Sequence, residues 1–198
     1  MDADFFVHPN AINESTAVGA GTRIWAFAHV MKGAVVGREC NICDHVFIES
    51  GAVLGNGVTL KNGVCVWEGV TLENYVFVGP HAMFTNDLYP RSPRNPELAS
   101  RYSSKWWLVR TTVKEGASLG ANATVRCGAT VGRYALIAAG AVVTGDVPDH
   151  ALIVGVPGRA AGWVCMCGAR LEDSTLRCPS CDRAYVRAGG GLALEARA

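Results

Sequence analysis

Charge is scarce in this chain of 198 residues: Lys, Arg, Asp and Glu make up 18%, and 18 basic against 17 acidic side chains leave a net charge of +1. There is no basic field to hold a nucleic-acid backbone and no run of like charges to act as a solvated tail, so a nucleic-acid partner is not expected. Long apolar runs are also missing. Stretches such as ALIAAGAVV at 135–143 fall far short of the roughly 20 residues that cross a bilayer, so no membrane segment is expected. The opening MDADFFVHPN lacks the basic and apolar segments of a secretory signal. A cytoplasmic location is therefore expected, with the eight cysteines reduced or bound to metal.

Helical periodicity is absent, and a different period replaces it. Every sixth residue from Ile12 through Val18, Ile24, Val30 and onward to Phe84 is apolar, and the register restarts at Val113 and runs through Leu119, Val125, Val131, Ile137 and Val143. Two places before these positions the residue is mostly small, as at Ala28, Ala34, Cys40, Ala52, Ala82 and Ala117. An α-helix carries every sixth residue off any single face, whereas short strands separated by corners keep it there. Three places after the apolar residue stands a corner position, often glycine, as at Gly33, Gly51 and Gly69, which suits a sharp turn with positive φ. The fold class predicted is all-β: a parallel β-helix of hexapeptide repeats, climbing as a triangular prism over residues 7–162 with 18 residues per coil.

The 18-residue coil says which corners stack. Phe27, His45, Gly63 and His81 share one column, and Lys32, Ser50, Glu68 and Asn86 share another. Glu68 and Asn86 are thus expected as neighbours one coil apart. The register fails just after Asn86, and residues from about 87 to 110 must leave the prism as an excursion loop, with Pro90, Pro93 and Pro96 keeping it out of the sheets. A long loop inside a compact repeat is usually functional.

The hexads, together with LIAAGAVVTGDVPDHALIVGVPGR at 136–159, resemble the left-handed β-helix acyltransferases that use acetyl-CoA. More narrowly, TRIWAFAHV at 22–30, MFTND at 83–87, LGANATVRCG at 119–128 and GRYALIAAGAVV at 132–143 are similar to sugar 3-N-acetyltransferases acting on nucleotide-linked 3-amino sugars. The resemblance covers roughly residues 7–163. It implies the left-handed sense of the coil, which periodicity does not supply, and a homotrimer with acetyl-CoA in the clefts between subunits. It also implies a role in surface polysaccharide synthesis, such as that of lipopolysaccharide. The acceptor it points to is the 3-amine of UDP-2-acetamido-3-amino-2,3-dideoxyglucuronate. The alternatives are a dTDP-linked 3-amino-3,6-dideoxyhexose and, in another class, a non-catalytic β-helix assembly protein.

A thioester is already activated, so such an enzyme mainly holds a neutral amine against the carbonyl and stabilises the oxyanion. Asn86 can accept a hydrogen bond from the amine, Glu68 can hold Asn86 or take up a proton, and His81 offers a conventional general base. The resemblance puts the asparagine of the FTN triplet at the amine and so favours Asn86. Arg23 can meet a phosphate or a sugar carboxylate bidentately, and Trp25 and His45 are further substrate candidates. By the same resemblance Ala121, Ala139, Gly155, Pro157 and Arg159 line or anchor the coenzyme A site. Hydration of carbon dioxide on a similar scaffold needs two zinc-binding histidines five apart, and the residue five after His81 is Asn86, which cannot serve.

One motif falls outside the hexads. Cys165 and Cys167 in C-x-C-G, followed by Cys178 and Cys181 in C-P-x-C, form two knuckles of a zinc ribbon over 163–186, and four thiolates at this spacing can surround one structural Zn²⁺. The ribbon is expected to cap the last coil, whose backbone edge would otherwise stay open. The last segment, 187–198, reads as a flexible tail. Cys40 and Cys43, although spaced C-x-x-C, are explained by the hexads.

Overall fold

The computed structural model describes residues 4–195, and all regular structure in them is β apart from one 3₁₀ turn at Ala99–Tyr102. The strands of the hexads are two or three residues long and pair in parallel with those of the next coil, forming three faces. The first face begins with Phe6–Val7, Arg23–Ile24, Asn41–Ile42, Thr59–Leu60, Phe77–Val78, Ser118–Leu119 and Leu136–Ile137. The second runs from Ile12–Asn13 to Val142–Val143, and the third from Ala17–Val18 to Thr130–Val131. Partners lie 18 apart, as Arg23 with Asn41 and Asn41 with Thr59. The expected prism is the observed one.

The core follows from the period. Ile24, Ile42, Leu60, Val78, Leu119 and Ile137 are fully buried on the first face, and the smaller residues two places earlier, Thr22, Cys40, Val58, Val76, Ala117 and Ala135, are buried beside them. Alternation of large and small side chains lets three walls meet on one axis without a void. The corners take positive φ at Gly33, Gly51 and Gly69, as glycine readily does. The same conformation is also imposed on Phe27, His45, Tyr75 and His81, which lack that freedom.

The excursion leaves the prism after Asn86 and returns at Thr111–Val113. Leu72 pairs with Val113, a step of 41 where Leu54 to Leu72 is a step of 18, and thereafter the register is restored. At the far end the first face continues past the hexads. Ala151–Val154 pairs in parallel with Leu136–Ile137, then antiparallel with Arg159–Val164, which pairs antiparallel with Arg170–Leu171 of the cysteine segment. The domain boundary expected at 162/163 thus falls inside a shared strand. Residues 187–195, part of the segment expected to be a flexible tail, complete a hairpin of Tyr185–Ala188 with Gly191–Leu194, and Leu192 is buried with its N–H donating to the Asp149 carbonyl at 3.2 Å. The rest of the expected tail, residues 196–198, lies outside the described residues.

A coil that is sealed by its neighbours should feel any cavity. Leu60→Ala, at a fully buried position in mid-prism, is expected to lower unfolding free energy in urea by about 2–5 kcal/mol, while Val53→Ala on the outer side of the third face should change it by about 1 kcal/mol or less. Equal effects would contradict the assignment of inside and outside.

Candidate active site

The rhythm breaks at Asn86, and the structure shows how the break is closed. Val109 N–H donates to the Asn86 carbonyl at 2.9 Å and Thr111 N–H donates to Gly69 at 3.1 Å, so the excursion has a narrow neck and its first residue remains fixed to the coil. The Asn86 side-chain amide donates to the backbone carbonyl of Glu68 at 3.4 Å. Glu68 and Asn86 are neighbours, as the column predicts, but the contact uses the Glu68 backbone. The Glu68 carboxylate turns to Lys105 of the loop, with which it forms an ion pair.

His81 stands at the other edge of the same face. It is exposed, holds a positive φ of 56°, and donates its backbone N–H to Asn62 at 3.0 Å. Strand Met83–Phe84 separates it from Asn86, and five extended residues span up to roughly 16 Å. Within one chain the two are separate candidates rather than a hydrogen-bonded pair. Cys65 and Met83 are register partners on this face, and Phe47 and Trp67 pack ring to ring at 5.5 Å beside them.

The substrate candidates lie lower on the prism. Arg23 and Trp25 line a surface cavity of about 460 Å³ with Phe5, Phe6 and Thr22, and the Trp25 indole N–H already donates to Asn41 Oδ1 at 2.7 Å. Arg23 is three register steps below Phe77, about 14 Å along the axis at the usual strand spacing. His45 stacks on Phe27 at 5.0 Å, two coils below His81. The structure thus brings together Glu68 and Asn86, and leaves Arg23, Trp25 and His45 on earlier coils.

The residues expected to hold coenzyme A form a continuous edge. Ala121 accepts from Gly140 N–H at 2.8 Å, next to Ala139 on the following coil. Gly155, with φ of 86°, accepts from Val142 N–H at 3.1 Å, and Gly158 N–H donates back to the Val142 carbonyl at 2.7 Å, so the turn through the cis Val156–Pro157 bond folds against the last hexad strand. Arg159 is exposed beyond it, beside a cavity of about 250 Å³ shared with residues 143–148.

Asp87, the loop residues that meet it, and Lys105 carried no signal of their own in the sequence. Asp87 accepts from Arg101 Nη2 at 2.5 Å, from the Tyr102 hydroxyl at 3.1 Å and from Tyr89 N–H at 2.9 Å, and Lys105 meets Glu68.

Known proteins can now be set beside this geometry. Residues 110–145 match a family described as bacterial transferase hexapeptide (six repeats). The dTDP-3-amino-3,6-dideoxy-alpha-D-galactopyranose 3-N-acetyltransferase of Aneurinibacillus thermoaerophilus is 47% identical over 187 residues, covering 93% of this chain and 92% of its own. The chain belongs to the hexapeptide-repeat nucleotide-sugar N-acetyltransferases.

Among solved structures, a hexapeptide-repeat acetyltransferase from Vibrio cholerae, complexed with acetyl coenzyme A, superposes with a TM-score of 0.53 at 20% identity, over 66% of this chain and 70% of its own. The acetyltransferase domain of PglB from Neisseria gonorrhoeae gives 0.50 at 22% identity, over 80% of this chain but only 58% of its own. These two likenesses bear on the fold alone. As an N-acetyltransferase the protein is an enzyme, and the non-catalytic assembly role falls away.

This N-acetyltransferase carries a second cluster beyond its prism. The Sγ atoms of Cys165, Cys167, Cys178 and Cys181 all lie within 4.8 Å of one another, with Cys165 to Cys181 at 3.4 Å and Cys167 to Cys178 at 3.5 Å. Zinc bonded to four sulfurs at about 2.3 Å sets its ligands about 3.8 Å apart, so the donor set and size fit. The Tyr185 hydroxyl lies 3.1 Å from Cys165 Sγ, and Arg183 Nη1 donates to Cys181 Sγ at 3.1 Å. The Cys181 thiol is pulled down to about 6, first by the Arg183 backbone N–H, with the Cys178 and Cys165 thiols and the Arg183 guanidinium adding to it. Tyr185 also meets His150 edge-on at 4.8 Å, and His150, buried and bonded to the Val164 carbonyl at 2.9 Å, stacks on Tyr134 of the last coils. Burial pushes the His150 imidazole below its usual range, against the pull of the Val164 carbonyl and Asp149, so it packs as a neutral ring.

Proposed function

We propose that the enzyme transfers acetyl from acetyl-CoA to the 3-amine of a dTDP-linked 3-amino-3,6-dideoxyhexose, with Asn86 orienting the amine. The observation that carries this is the 47% identity to the galactose-configured relative, along nearly the whole of both chains. The uronate acceptor implied by the resemblance would need a cation for its carboxylate, and Arg23, one candidate for that task, stands about 14 Å down the prism from the coil of Asn86. A rigid amide fixed to the coil suits a reaction that needs positioning more than proton transfer. Ala121, Ala139, Gly155, Pro157 and Arg159 remain the proposed acetyl-CoA edge, in a homotrimer with sites between subunits and a cytoplasmic location.

Release of free CoA from acetyl-CoA, measured with dTDP-3-amino-3,6-dideoxygalactose and with the UDP-linked 3-amino uronate, should give a kcat/KM at least about 100-fold higher for the first, a difference of a few kcal/mol in transition-state binding. Preference for the uronate would overturn the acceptor assignment. Asn86→Ala should lower kcat by about 10- to 1000-fold while leaving the KM for acetyl-CoA within about twofold, and His81→Asn should do less. Full activity of the Asn86 variant beside an inactive His81 variant would make the histidine the base.

We also propose that the four cysteines hold one structural zinc ion. The cysteine segment has five buried side chains in its core, Cys165, Leu171, Cys178, Tyr185 and Leu192, two of which are among the four ligands, so little else holds it. Elemental analysis should find about one zinc per chain. Cys178→Ser should raise hydrogen exchange over 164–194 while leaving that of 24–84 unchanged. Metal-free native protein with four freely titrating thiols would refute the site.

A further inference from the structure

Asn86 lies between two carboxylates, and both are already occupied. Asp87, the next residue, has a side chain only 8% exposed and receives three donors, Arg101 Nη2, the Tyr102 hydroxyl and the Tyr89 N–H. Glu68, whose backbone carbonyl receives the Asn86 amide, gives its carboxylate to Lys105. Both cations sit on the returning arm of the excursion. Its outer span, residues 88–97, is exposed and carries no strand, so nothing in the way of a core fixes it in place. At the neck Leu108 and Val109 rest against Gly69 and Gly128, and further out the contacts that hold the arm down are polar.

We infer that Asp87 and Glu68 are positioning residues which latch the returning arm of the excursion at its neck, Asp87 by tying it to the residue next to Asn86 and Glu68 by tying it to the prism, and that neither takes the proton of the acceptor amine. The Asp87 latch is the stronger of the two. Its partner Arg101 is 19% exposed, whereas Lys105 is 68% exposed, and a solvated pair contributes little. Among the described residues the buried Arg101 Nε has no hydrogen-bond partner, so Asp87 supplies the charge that compensates this guanidinium. Arg101 also lies over the Trp106 ring at 4.9 Å, and Tyr102 packs on Trp107 at 5.7 Å, so one carboxylate gathers the aromatic end of the arm. Burial pushes the Asp87 carboxyl up, yet the Tyr89 N–H, the Tyr102 hydroxyl and Arg101 together hold it below the usual carboxylate range. A general base needs an open lone pair near the substrate; these oxygens are committed to the arm.

The inference rests on acetyl transfer taking place at Asn86, but its test has a part that does not. In the full-length protein, trypsin cleavage at the exposed Arg91 and Arg94 reads the loop alone, and steady-state kinetics with the dTDP-linked 3-amino sugar read the site. Asp87→Asn is expected to speed loop cleavage about tenfold and to raise the KM for the nucleotide sugar about tenfold, with kcat within about threefold and the KM for acetyl-CoA within about twofold. Arg101→Met should do the same, and the double variant should be no worse than either single one, because both remove one latch. Glu68→Gln should change each quantity about two- to threefold. Unchanged cleavage and KM in Asp87→Asn would overturn the latch, and so would a loss of kcat beyond about 100-fold with the loop still protected, which would make Asp87 the base. A loop that opens without any change in the nucleotide-sugar KM would uphold the latch and refute the placement of the acceptor at Asn86.

Discussion

In this fold the backbone hydrogen bonds run along the prism axis, so each coil is satisfied only by the coil eighteen residues away. Arg23 N–H reaches Cys40, Asn41 N–H reaches Val58, and Thr59 N–H reaches Val76. A buried, unpaired N–H or C=O is costly, so an insertion is tolerated only if it gives the chain back in register. The excursion obeys this. It departs from Asn86, returns through the bond between Val109 N–H and Asn86, and hands Thr111–Val113 to the strand Val70–Leu72 as though nothing had intervened. The requirement that fixes the neck also fixes Asn86, and a residue at such a neck is held more rigidly than any residue of the loop can be.

The same constraint poses a problem at the end of the prism, where no further coil exists. Ala151–Val154 would present an open row of donors and acceptors, a template for another strand. The chain answers by turning through Gly155–Gly158 and laying Arg159–Val164 antiparallel along that edge. Arg170–Leu171 then pairs with this strand, and the cysteine cluster closes behind it. The neutral His150 ring, between Tyr134 of the prism and Tyr185 of the cluster, ties the two parts together. Prism and ribbon share one sheet, and the strand that begins at Arg159 ends next to Cys165.

What could be read in the sequence was whatever repeats. The hexads gave the inside and outside of the prism, and the 18-residue step gave the Glu68–Asn86 column and the stack of His45 on Phe27, because each depends on spacing alone. Contacts without a period stayed hidden. Lys105 is 37 residues from Glu68, and Arg101 is 14 from Asp87, across a loop whose path no pattern dictates. RAGGGLALEARA looks flexible in composition, yet Gly189 and Gly190 take positive φ in a hairpin turn that buries Leu192 against Asp149. There the glycines serve as a corner, and tertiary packing outweighs a composition that suggests a linker.

The arrangement around Asn86 has a chemical logic that follows from these contacts. A carboxylate beside the reacting amine would favour an ammonium ion, which is no nucleophile, and would repel the oxyanion that forms on the thioester carbonyl. Pairing Asp87 with Arg101 and Glu68 with Lys105 removes that free negative charge from the edge where Asn86 sits. An amide has no charge to oppose, and its oxygen can still accept a hydrogen bond from a neutral amine while its nitrogen is tied to the Glu68 carbonyl. In the proposed site the cations that hold the loop therefore also neutralise the surroundings of the asparagine, so one set of contacts would give both the closed geometry and the electrostatics that acetyl transfer to an amine requires.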